Sequence, residues 1–324
     1  MRLLLAGDVM LGRLVNQTLE REGPAYPWGN TLEIFQGADW RACNLECVIS
    51  DLGEPWSISP KVFHFRSDAK NVGVLKAAGI DAVSLANNHV LDFEYEAFAQ
   101  MLRILDSVGI AHAGAGLTVE HASKCAISTV GGLRVGMIAF TDNERGWEAT
   151  RVMPGVLYVP IDRGDRRAEE LFSAVRLAKS EVDILVVSAH WGPNWGRRPL
   201  PEHVDFGRGL IDAGADIVFG HSCHVFQGVE RYKKGIIFYS AGDFIDDYAV
   251  DEIERNDETF IYVVETEQGK LRGVRMYPAM IDRCQVNRTT GNDARRIAVK
   301  MEALCREMGT RAEWREGCLE MDVL

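Results

Sequence analysis

The sequence lacks three features that would assign it to a special class of protein. No apolar run approaches the roughly 18 residues of a membrane span, and residues 3–6 are too short for a signal-peptide core, so we expect no membrane anchor. The seven cysteines include no C-x-x-C pair, which favours reduced thiols in a cytoplasmic protein. The net charge of −11 leaves no basic excess for binding nucleic acid.

The composition that remains is that of an ordinary globular protein, with 47% hydrophobic and 26% charged residues. A length of 324 residues is compatible with one large α/β domain and an appendage. We therefore predict a main domain at residues 1–280 and a C-terminal helical extension at residues 281–324 that packs on it.

Short apolar stretches alternate with segments of helical periodicity along the chain. The predicted buried strands are residues 3–6, 39–44, 81–85, 183–188 and 216–219. The predicted helices are residues 14–21, 68–78, 92–108, 165–179, 202–213 and 293–307. Alternating segments at residues 125–140, 225–239 and 260–277 predict β-hairpins. This mixture favours an α/β fold, and a four-layer α/β/β/α sandwich accommodates both kinds of strand.

Polar side chains that can bind a metal follow the predicted strands, where ligands of open α/β sheets bind. They are Asp8, Glu46, Asn88, His190, His221 and His224. Each alone has an alternative interpretation as a helix cap, a turn residue or a hydrogen-bonded loop histidine. Together they offer carboxylate, amide and imidazole ligands, which favours Mn²⁺, Fe or Zn²⁺ over Ca²⁺. One carboxylate can bridge two such cations about 3.5–4 Å apart.

Six short segments around these residues follow one another in order. They are GDVMLGR (7–13), NLE (44–46), SLANNHVLD (84–92), AHWG (189–192), GHSCHV (220–225) and YSAGDF (239–244). Jointly they resemble the CapA family of poly-γ-glutamate biosynthesis proteins, a branch of the calcineurin-like metallophosphoesterase superfamily, over roughly residues 1–280. The resemblance implies the four-layer sandwich of the metallophosphoesterase type and a site for two divalent metal ions.

The resemblance also implies how the ligands divide between the two metals. One metal would be bound by Asp8 and His224, the other by Asn88, His190 and His221, and Glu46 would bridge them. Phosphoesterases of the superfamily usually have a histidine two residues after the first aspartate. This chain has Met10 there, a difference that CapA-like proteins share.

The same resemblance implies roles for residues that do not bind metal. His89 matches the superfamily's non-ligand histidine, which protonates the leaving group or holds the transition-state oxygen. Asp92 could orient that imidazole, or could be a carboxylate in the first turn of a helix. The family's last motif usually reads Gly-Asn-Phe, and Asp243 here adds a carboxylate that we include among the substrate-binding candidates.

Four arginines near these motifs are candidates for holding an anionic small molecule or peptide. They are Arg13, Arg66, Arg197 and Arg198. Guanidinium groups bind carboxylate or phosphate through two parallel hydrogen bonds. The alternative interpretation is that they are exposed arginines in loops.

Three hypotheses for function follow. The leading one is a metal-dependent hydrolase in which metal-bound hydroxide attacks a phosphoester or a γ-glutamyl amide, with His89 assisting departure. The second keeps the metals but epimerises or otherwise modifies a peptide, with Asp8, Asp243 or His89 as base. The third is a non-catalytic accessory protein that binds polyglutamate or a peptide. The fold alone does not choose among them.

Overall fold

The computed structural model describes residues 1–323. Its helices lie where the periodicity of the sequence predicts them. The α-helices are α1 (Arg13–Glu22), α2 (Leu32–Gln36), α3 (Val72–Ala77), α4 (Glu94–Val108), α5 (Val119–Ala122), α6 (Arg166–Lys179), α7 (Pro201–Ala213) and α8 (Gly291–Glu307). Asp165 caps α6 by accepting a hydrogen bond from the Arg167 N–H at 2.8 Å. Gly109 ends α4 in the left-handed conformation, with φ +73°.

The six predicted helices are confirmed to within a few residues. The predicted helix at 68–78 is divided, because a 3₁₀ turn at Ala69–Asn71 precedes α3. Further 3₁₀ turns occur at Tyr26–Thr31 and Arg145–Trp147. Within residues 1–323, no helix has both the length and the apolar character required to cross a membrane.

Most strands belong to two sheets. The strands are β1 (Arg2–Val9), β2 (Trp40–Leu45), β3 (Val48–Ile49), β4 (Arg66–Ser67), β5 (Ala82–Ser84), β6 (Ala111–Ala113), β7 (Ala115–Gly116), β8 (Ala126–Val130), β9 (Leu133–Thr141), β10 (Gly155–Val156), β11 (Ile184–His190), β12 (Ile217–His221), β13 (Val229–Tyr232), β14 (Gly235–Phe238), β15 (Asp243–Ile245), β16 (Glu258–Glu267), β17 (Lys270–Asp282), β18 (Gln285–Arg288), β19 (Glu313–Arg315) and β20 (Cys318–Asp322).

The first sheet has the order β19-β20-β17-β16-β1-β2-β5-β6, with β15 beside β1 and β18 beside β17. The second sheet has the order β13-β14-β12-β11-β9-β8. Strands β1, β2, β5 and β6 of the first sheet are parallel to one another, as are β9, β11, β12 and β14 of the second. The three predicted hairpins add antiparallel pairs at β8–β9, β13–β14 and β16–β17, and β16 also runs antiparallel to β1. The predicted hairpins are therefore confirmed.

The two sheets pack face to face, and helices cover both outer faces. Leu3 and Leu5 of β1 lie in a core shared with Phe219 of the second sheet. Leu4, on the opposite face of β1, packs in the core formed with α1 to α4. Val187 of β11 packs on the other side of the second sheet, against α6 and α7. The predicted four-layer α/β/β/α sandwich is confirmed.

The C-terminal segment contains more than the predicted helical extension. Helix α8 packs on the core between the sheets through Ile297 and Met301. Strands β18 and β20 pair with β17, and β19 pairs with β20, so the segment also extends the first sheet. These strands have three to five residues, too few to show a clear alternation in the sequence. The boundary proposed at residue 280 lies inside β17, and the division into domains stays a prediction.

Candidate metal centre

Polar side chains of both sheets meet at one end of the sandwich. Asp8 of β1 lies in register with Asn44 of β2 and with Asp243 of β15, on the two strands that run parallel to it. His190 and His221 lie opposite each other at the carboxyl ends of β11 and β12. The ends of both parallel sets therefore bring their side chains to the same edge, as expected for an α/β fold.

The glycine before Asp8 allows β15 to approach closely. A Cβ atom at position 7 would lie 1.9 Å from the carbonyl oxygen of Gly242. The same oxygen accepts a hydrogen bond from the Asp8 N–H at 3.0 Å. A larger side chain at Gly7 would push residue 242 away, and with it the neighbouring Asp243.

Two groups of side chains each bring their ligand atoms within 4.8 Å of one another, and Asp8 belongs to both. The first group is Asp8, His190 and His221, and the second is Asp8, Glu46, His224 and Asp243. Asn88 adjoins the first group, with its Oδ1 3.0 Å from His190 Nε2, and Glu46 Oε1 lies 3.9 Å from the same nitrogen. The six predicted ligands thus lie together, joined by Asp243. Their roles as ligands, including the bridging role of Glu46, stay predictions.

The carboxylates of this cluster are buried and poorly satisfied. Burial and the neighbouring Asp243 raise the pKa of Asp8 to about 7. Burial and the Asp8 carboxylate raise the pKa of Glu46 well above its ordinary value, and burial raises the pKa of Asp243. Among residues 1–323, Glu46 Oε2 and Asp243 Oδ2 are buried without a hydrogen-bond partner. Such oxygens are costly to bury, and a divalent cation would satisfy them, so the donor set fits the predicted metals.

The imidazoles of the second sheet are held in the form that binds metal. Burial lowers the pKa of His221 to about 3. Burial and the neighbouring His221 lower the pKa of His190 well below its ordinary value. Ser188 Oγ lies 2.8 Å from His221 Nε2 and orients that ring. Neutral imidazole is the metal-binding form, so these two rings need not lose a proton first.

His224 is electrostatically different from these two histidines. Burial lowers its pKa, but the carboxylates of Asp243, Glu46 and Asp8 outweigh burial and raise the pKa to about 10. Its Nδ1 lies 2.9 Å from Asp243 Oδ1. A cation at this group would replace the proton that His224 carries.

His89 and Asp92 form a buried pair beside the cluster. His89 Nδ1 lies 2.6 Å from Asp92 Oδ2, which also accepts the Phe65 N–H at 2.7 Å. The Phe65 ring stacks on the His89 ring, with centroids 4.0 Å apart. Burial lowers the pKa of His89, although Asp92 acts in the opposite direction. The predicted orientation of His89 by Asp92 is thus matched by the geometry, whereas their catalytic role stays a prediction.

A cavity of about 630 Å³ opens beside this pair and the candidate metal ligands. Asn88, His89 and His224 contribute to its lining. The aromatic and cationic residues of its walls are Phe63, Phe65, Trp195, Tyr248, Arg13 and Lys61.

Comparison with known proteins identifies the family of the chain. A family model described as bacterial capsule synthesis protein PGA_cap matches residues 2–248. The chain belongs to this family. A probable polyglutamine synthesis accessory protein of Mycobacterium tuberculosis is 32% identical to it, over 95% of this chain and 92% of that protein.

CapA proteins, the group to which the motifs are similar, are also among the relatives of this chain. Capsule biosynthesis protein CapA of Bacillus anthracis is 30% identical, over 75% of this chain and 59% of that protein. PGA biosynthesis protein CapA of Bacillus subtilis is 31% identical, over 74% of this chain and 62% of that protein. The recognition of a CapA-type member of the metallophosphoesterase superfamily is confirmed.

The fold of this PGA_cap protein also occurs among solved structures. A hypothetical protein from Thermus thermophilus superimposes with a TM-score of 0.50 at 15% identity, over 87% of this chain and all of that one. This likeness supports the sandwich fold and carries no information on activity.

Arg13 is the predicted substrate-binding arginine that lines the cavity in the described part of the chain. Its Nε lies 3.2 Å from Asp247 Oδ2, and its guanidinium lies over the Phe65 and Tyr248 rings. The charge of Arg13 is therefore already paired.

The other three predicted substrate-binding arginines are not among the residues that line this cavity, and their role in substrate binding stays a prediction. Arg66 donates to the carbonyl oxygens of Leu52 and Gly53 and stacks on the Phe93 ring. Arg197 and Arg198 line a separate cavity, where they pair with Glu254 and Glu307. Their closeness to His190 along the chain does not determine the direction of their side chains. Asp243, which we predicted to bind substrate, lies beside the predicted metal ligands and is not among the residues that line the cavity.

Two residues of the site were missed in the sequence. Asn44 Nδ2 donates to Asp8 Oδ1 at 2.8 Å, and the position of Asn44 within the NLE segment was the available signal. The Lys61 side chain is nine-tenths buried, with Nζ 2.6 Å from the Asn88 carbonyl oxygen and 3.4 Å from Asp92 Oδ1. The only indication of this role in the sequence is that a single lysine precedes a short apolar run, in a segment whose composition otherwise indicates an exposed loop.

Proposed function

We propose that this PGA_cap protein is a metal-dependent hydrolase that cleaves a phosphoester. The observation that carries the proposal is the convergence of two ligand groups that share Asp8, next to a cavity lined by His89. The buried, unpaired oxygens of Glu46 and Asp243 support a bound cation, because such oxygens need a positive partner.

Two divalent cations, Mn, Fe or Zn, are the proposed cofactors. The residues that would hold them are Asp8, Glu46, Asn88, His190, His221 and His224, with Asp243 as a further carboxylate beside them. Divalent cations in such a set supply Lewis-acid activation of water and of the scissile ester.

His89 is the proposed group that moves a proton at the leaving oxygen. Its Nδ1 is occupied by the Asp92 carboxylate, so the proton exchanged with substrate would be carried at Nε2. The Phe65 ring fixes the plane of the imidazole, and the Phe65 N–H holds the Asp92 carboxylate. Asp92 therefore acts as a positioning residue, keeping one tautomer of His89 in place.

The test combines elemental analysis with hydrolysis of p-nitrophenyl phosphate and bis-p-nitrophenyl phosphate in added Mn²⁺, Fe²⁺ or Zn²⁺. We expect bound metal and metal-dependent turnover in the wild type, and loss of both in Asp8→Asn. Asp216→Asn is the matched control, because Asp216 is a half-buried carboxylate that pairs with Lys179 away from the site. A wild-type protein that binds no divalent metal, or that hydrolyses neither ester with metal bound, would refute the proposal.

A second candidate is action on a γ-glutamyl amide, or non-catalytic binding of a polyglutamate chain. It is favoured by the names of the relatives, which refer to PGA biosynthesis and to a polyglutamine synthesis accessory protein. Release of glutamate from γ-glutamyl peptides in the absence of phosphoester hydrolysis would select the amide. Binding of polyglutamate that is unaffected by His89→Ala would select the accessory role.

An anionic substrate and a cytoplasmic location complete the proposal. The cations proposed for the site attract an anion despite the acidic chain. All seven cysteines are unpaired, which agrees with a reducing compartment.

A further inference from the structure

The cavity beside the candidate metal centre has aromatic side chains that remain open to solvent. Phe63 is 59% exposed and Trp195 is 41% exposed, and both line this cavity. Aromatic side chains are usually buried in the core or in an interface. Two that remain exposed at the same cavity therefore indicate a surface that can bind a ligand.

Ring contacts connect each exposed aromatic side chain to a histidine of the site, His89 on one side and the candidate ligand His224 on the other. On one side Phe63 stacks on Phe65, with centroids 6.4 Å apart, and Phe65 stacks on His89. On the other side the Trp195 ring lies 5.9 Å from the His224 ring. A planar group that contacts Phe63 and Trp195 in this cavity would therefore lie near His89 and His224, which line the same cavity.

The backbone holds Trp195 in this position. Its φ of +66° is in the left-handed region, which residues other than glycine rarely adopt. The Trp195 N–H donates to the Cys223 carbonyl oxygen at 3.1 Å, between the candidate ligands His221 and His224. The backbone of Trp195 is thus attached to residues 221–224, the segment that carries two of those candidate ligands.

The cavity walls offer little net positive charge to a polyanionic chain. Arg13 is paired with Asp247, and Lys61 lies 3.4 Å from Asp92 and 3.5 Å from Glu144. An anionic group would therefore be held by cations at the cluster, while the rest of the ligand contacts aromatic walls.

We propose that the substrate is a phosphoester in which the group bonded to the phosphate is planar and aromatic, bound between Phe63 and Trp195. This inference rests on the proposed phosphoesterase function. It adds that specificity comes from ring stacking next to the phosphate and does not come from arginine clamps.

The test measures binding of phenylphosphonate and methylphosphonate to the Mn²⁺-loaded protein by isothermal titration calorimetry. We expect phenylphosphonate to bind about tenfold more tightly than methylphosphonate, the size of one stacking contact. Trp195→Ala and Phe63→Ala should remove most of this preference and leave methylphosphonate binding unchanged. Trp195→Phe, which keeps an aromatic ring, should retain it.

The matched control is Trp314→Ala, because Trp314 lies on β19 outside the cavity. Equal binding of the two phosphonates, or a preference that survives in both alanine variants, would overturn the inference and leave the phosphoesterase proposal standing. Failure of both phosphonates to bind the metal-loaded protein would overturn the inference together with that function. Thermal unfolding of each variant establishes that it is folded.

Discussion

The two sheets contribute chemically different halves to the candidate metal centre. The first sheet and its loops carry the candidate oxygen ligands Asp8, Glu46, Asn88 and Asp243, and the second sheet and its loops carry the candidate imidazole ligands His190, His221 and His224. Burial acts on the two halves in opposite directions, because it raises the pKa of a carboxyl group and lowers that of an imidazole. The carboxylates of Asp8, Glu46 and Asp243 also repel one another, which raises the pKa values of Asp8 and Glu46 further, and a cation would relieve this repulsion.

The comparison also indicates which residue joins the halves. Asp8 lies in the first sheet, yet its Oδ1 is 3.4 Å from His221 Nδ1 of the second sheet. It is the member common to both ligand groups in the described residues. A cation bound there would connect the two sheets, so metal binding should stabilise the whole sandwich.

The largest effect should come from removing the shared carboxylate. At a metal concentration 1,000 times Kd, each bound metal ion stabilises a protein by about 4 kcal/mol. We expect Asp8→Asn to lose this stabilisation and both metal equivalents, whereas His221→Asn, which affects one group, should lose one equivalent. Thermal unfolding with and without Mn²⁺, together with elemental analysis, measures both. Equal losses in the two variants would contradict the shared role of Asp8.

The next largest effect should come from replacing His89. This histidine follows β5 of the first sheet and is not a proposed metal ligand. Loss of general acid–base assistance should lower kcat by about 10²–10⁴-fold in His89→Ala. The metal content should remain that of the wild type, which separates His89 from His190 and His221. A parallel loss of metal in His89→Ala would instead make it a ligand.

Lys61 should have a smaller effect, because it acts through Asp92 and the Asn88 backbone. We expect Lys61→Met to lower kcat by about 10–100-fold with little change in KM, as for residues that orient a site's inner groups. Lys61→Arg should recover part of the activity. Lys76→Met, at an exposed lysine in α3, is the control. A merely structural role would instead lower thermal stability and leave kcat per folded molecule unchanged.

The pH dependence of metal binding should be set by the carboxylate half. His221 is already neutral at pH 5.5, but Asp8, with its pKa raised to about 7, must first lose a proton. Affinity should therefore fall as the pH falls through 7, by at least about thirtyfold between pH 8 and pH 5.5. The raised pKa of His224 acts in the same direction. Calorimetric titration with Mn²⁺ measures the change, and a pH-independent affinity would contradict this assignment.

The smallest effect should come from the arginines outside the cavity. Arg198 pairs with Glu307 at the exposed surface, where solvent screens the pair, so thermal unfolding of Arg198→Ala should give nearly the wild-type melting temperature. Phosphoester hydrolysis should be unchanged in the same variant. A marked rise in KM would restore Arg198 as a substrate-binding residue.

Local patterns in the sequence carried much of the fold and of the ligand set. A buried strand and the polar residue at its end form a pattern of about ten consecutive residues. Because this pattern is local, His190 and His221 could be predicted from the sequence. The periodicity of α6 and α7 was equally local. The short C-terminal strands were missed, because their pairing with β17 depends on contacts that no local pattern records.

By itself, the sequence determined the class of fold, the hairpins and the polar residues at the strand ends, since each depends on neighbours along the chain. Only the tertiary structure decided that Asp243 adjoins the ligands, that Lys61 contacts Asp92, and that Arg198 points elsewhere. These outcomes depend on side-chain directions and on pairings between distant segments. Such pairings are decided when the two sheets pack, because packing determines which charges become buried next to one another.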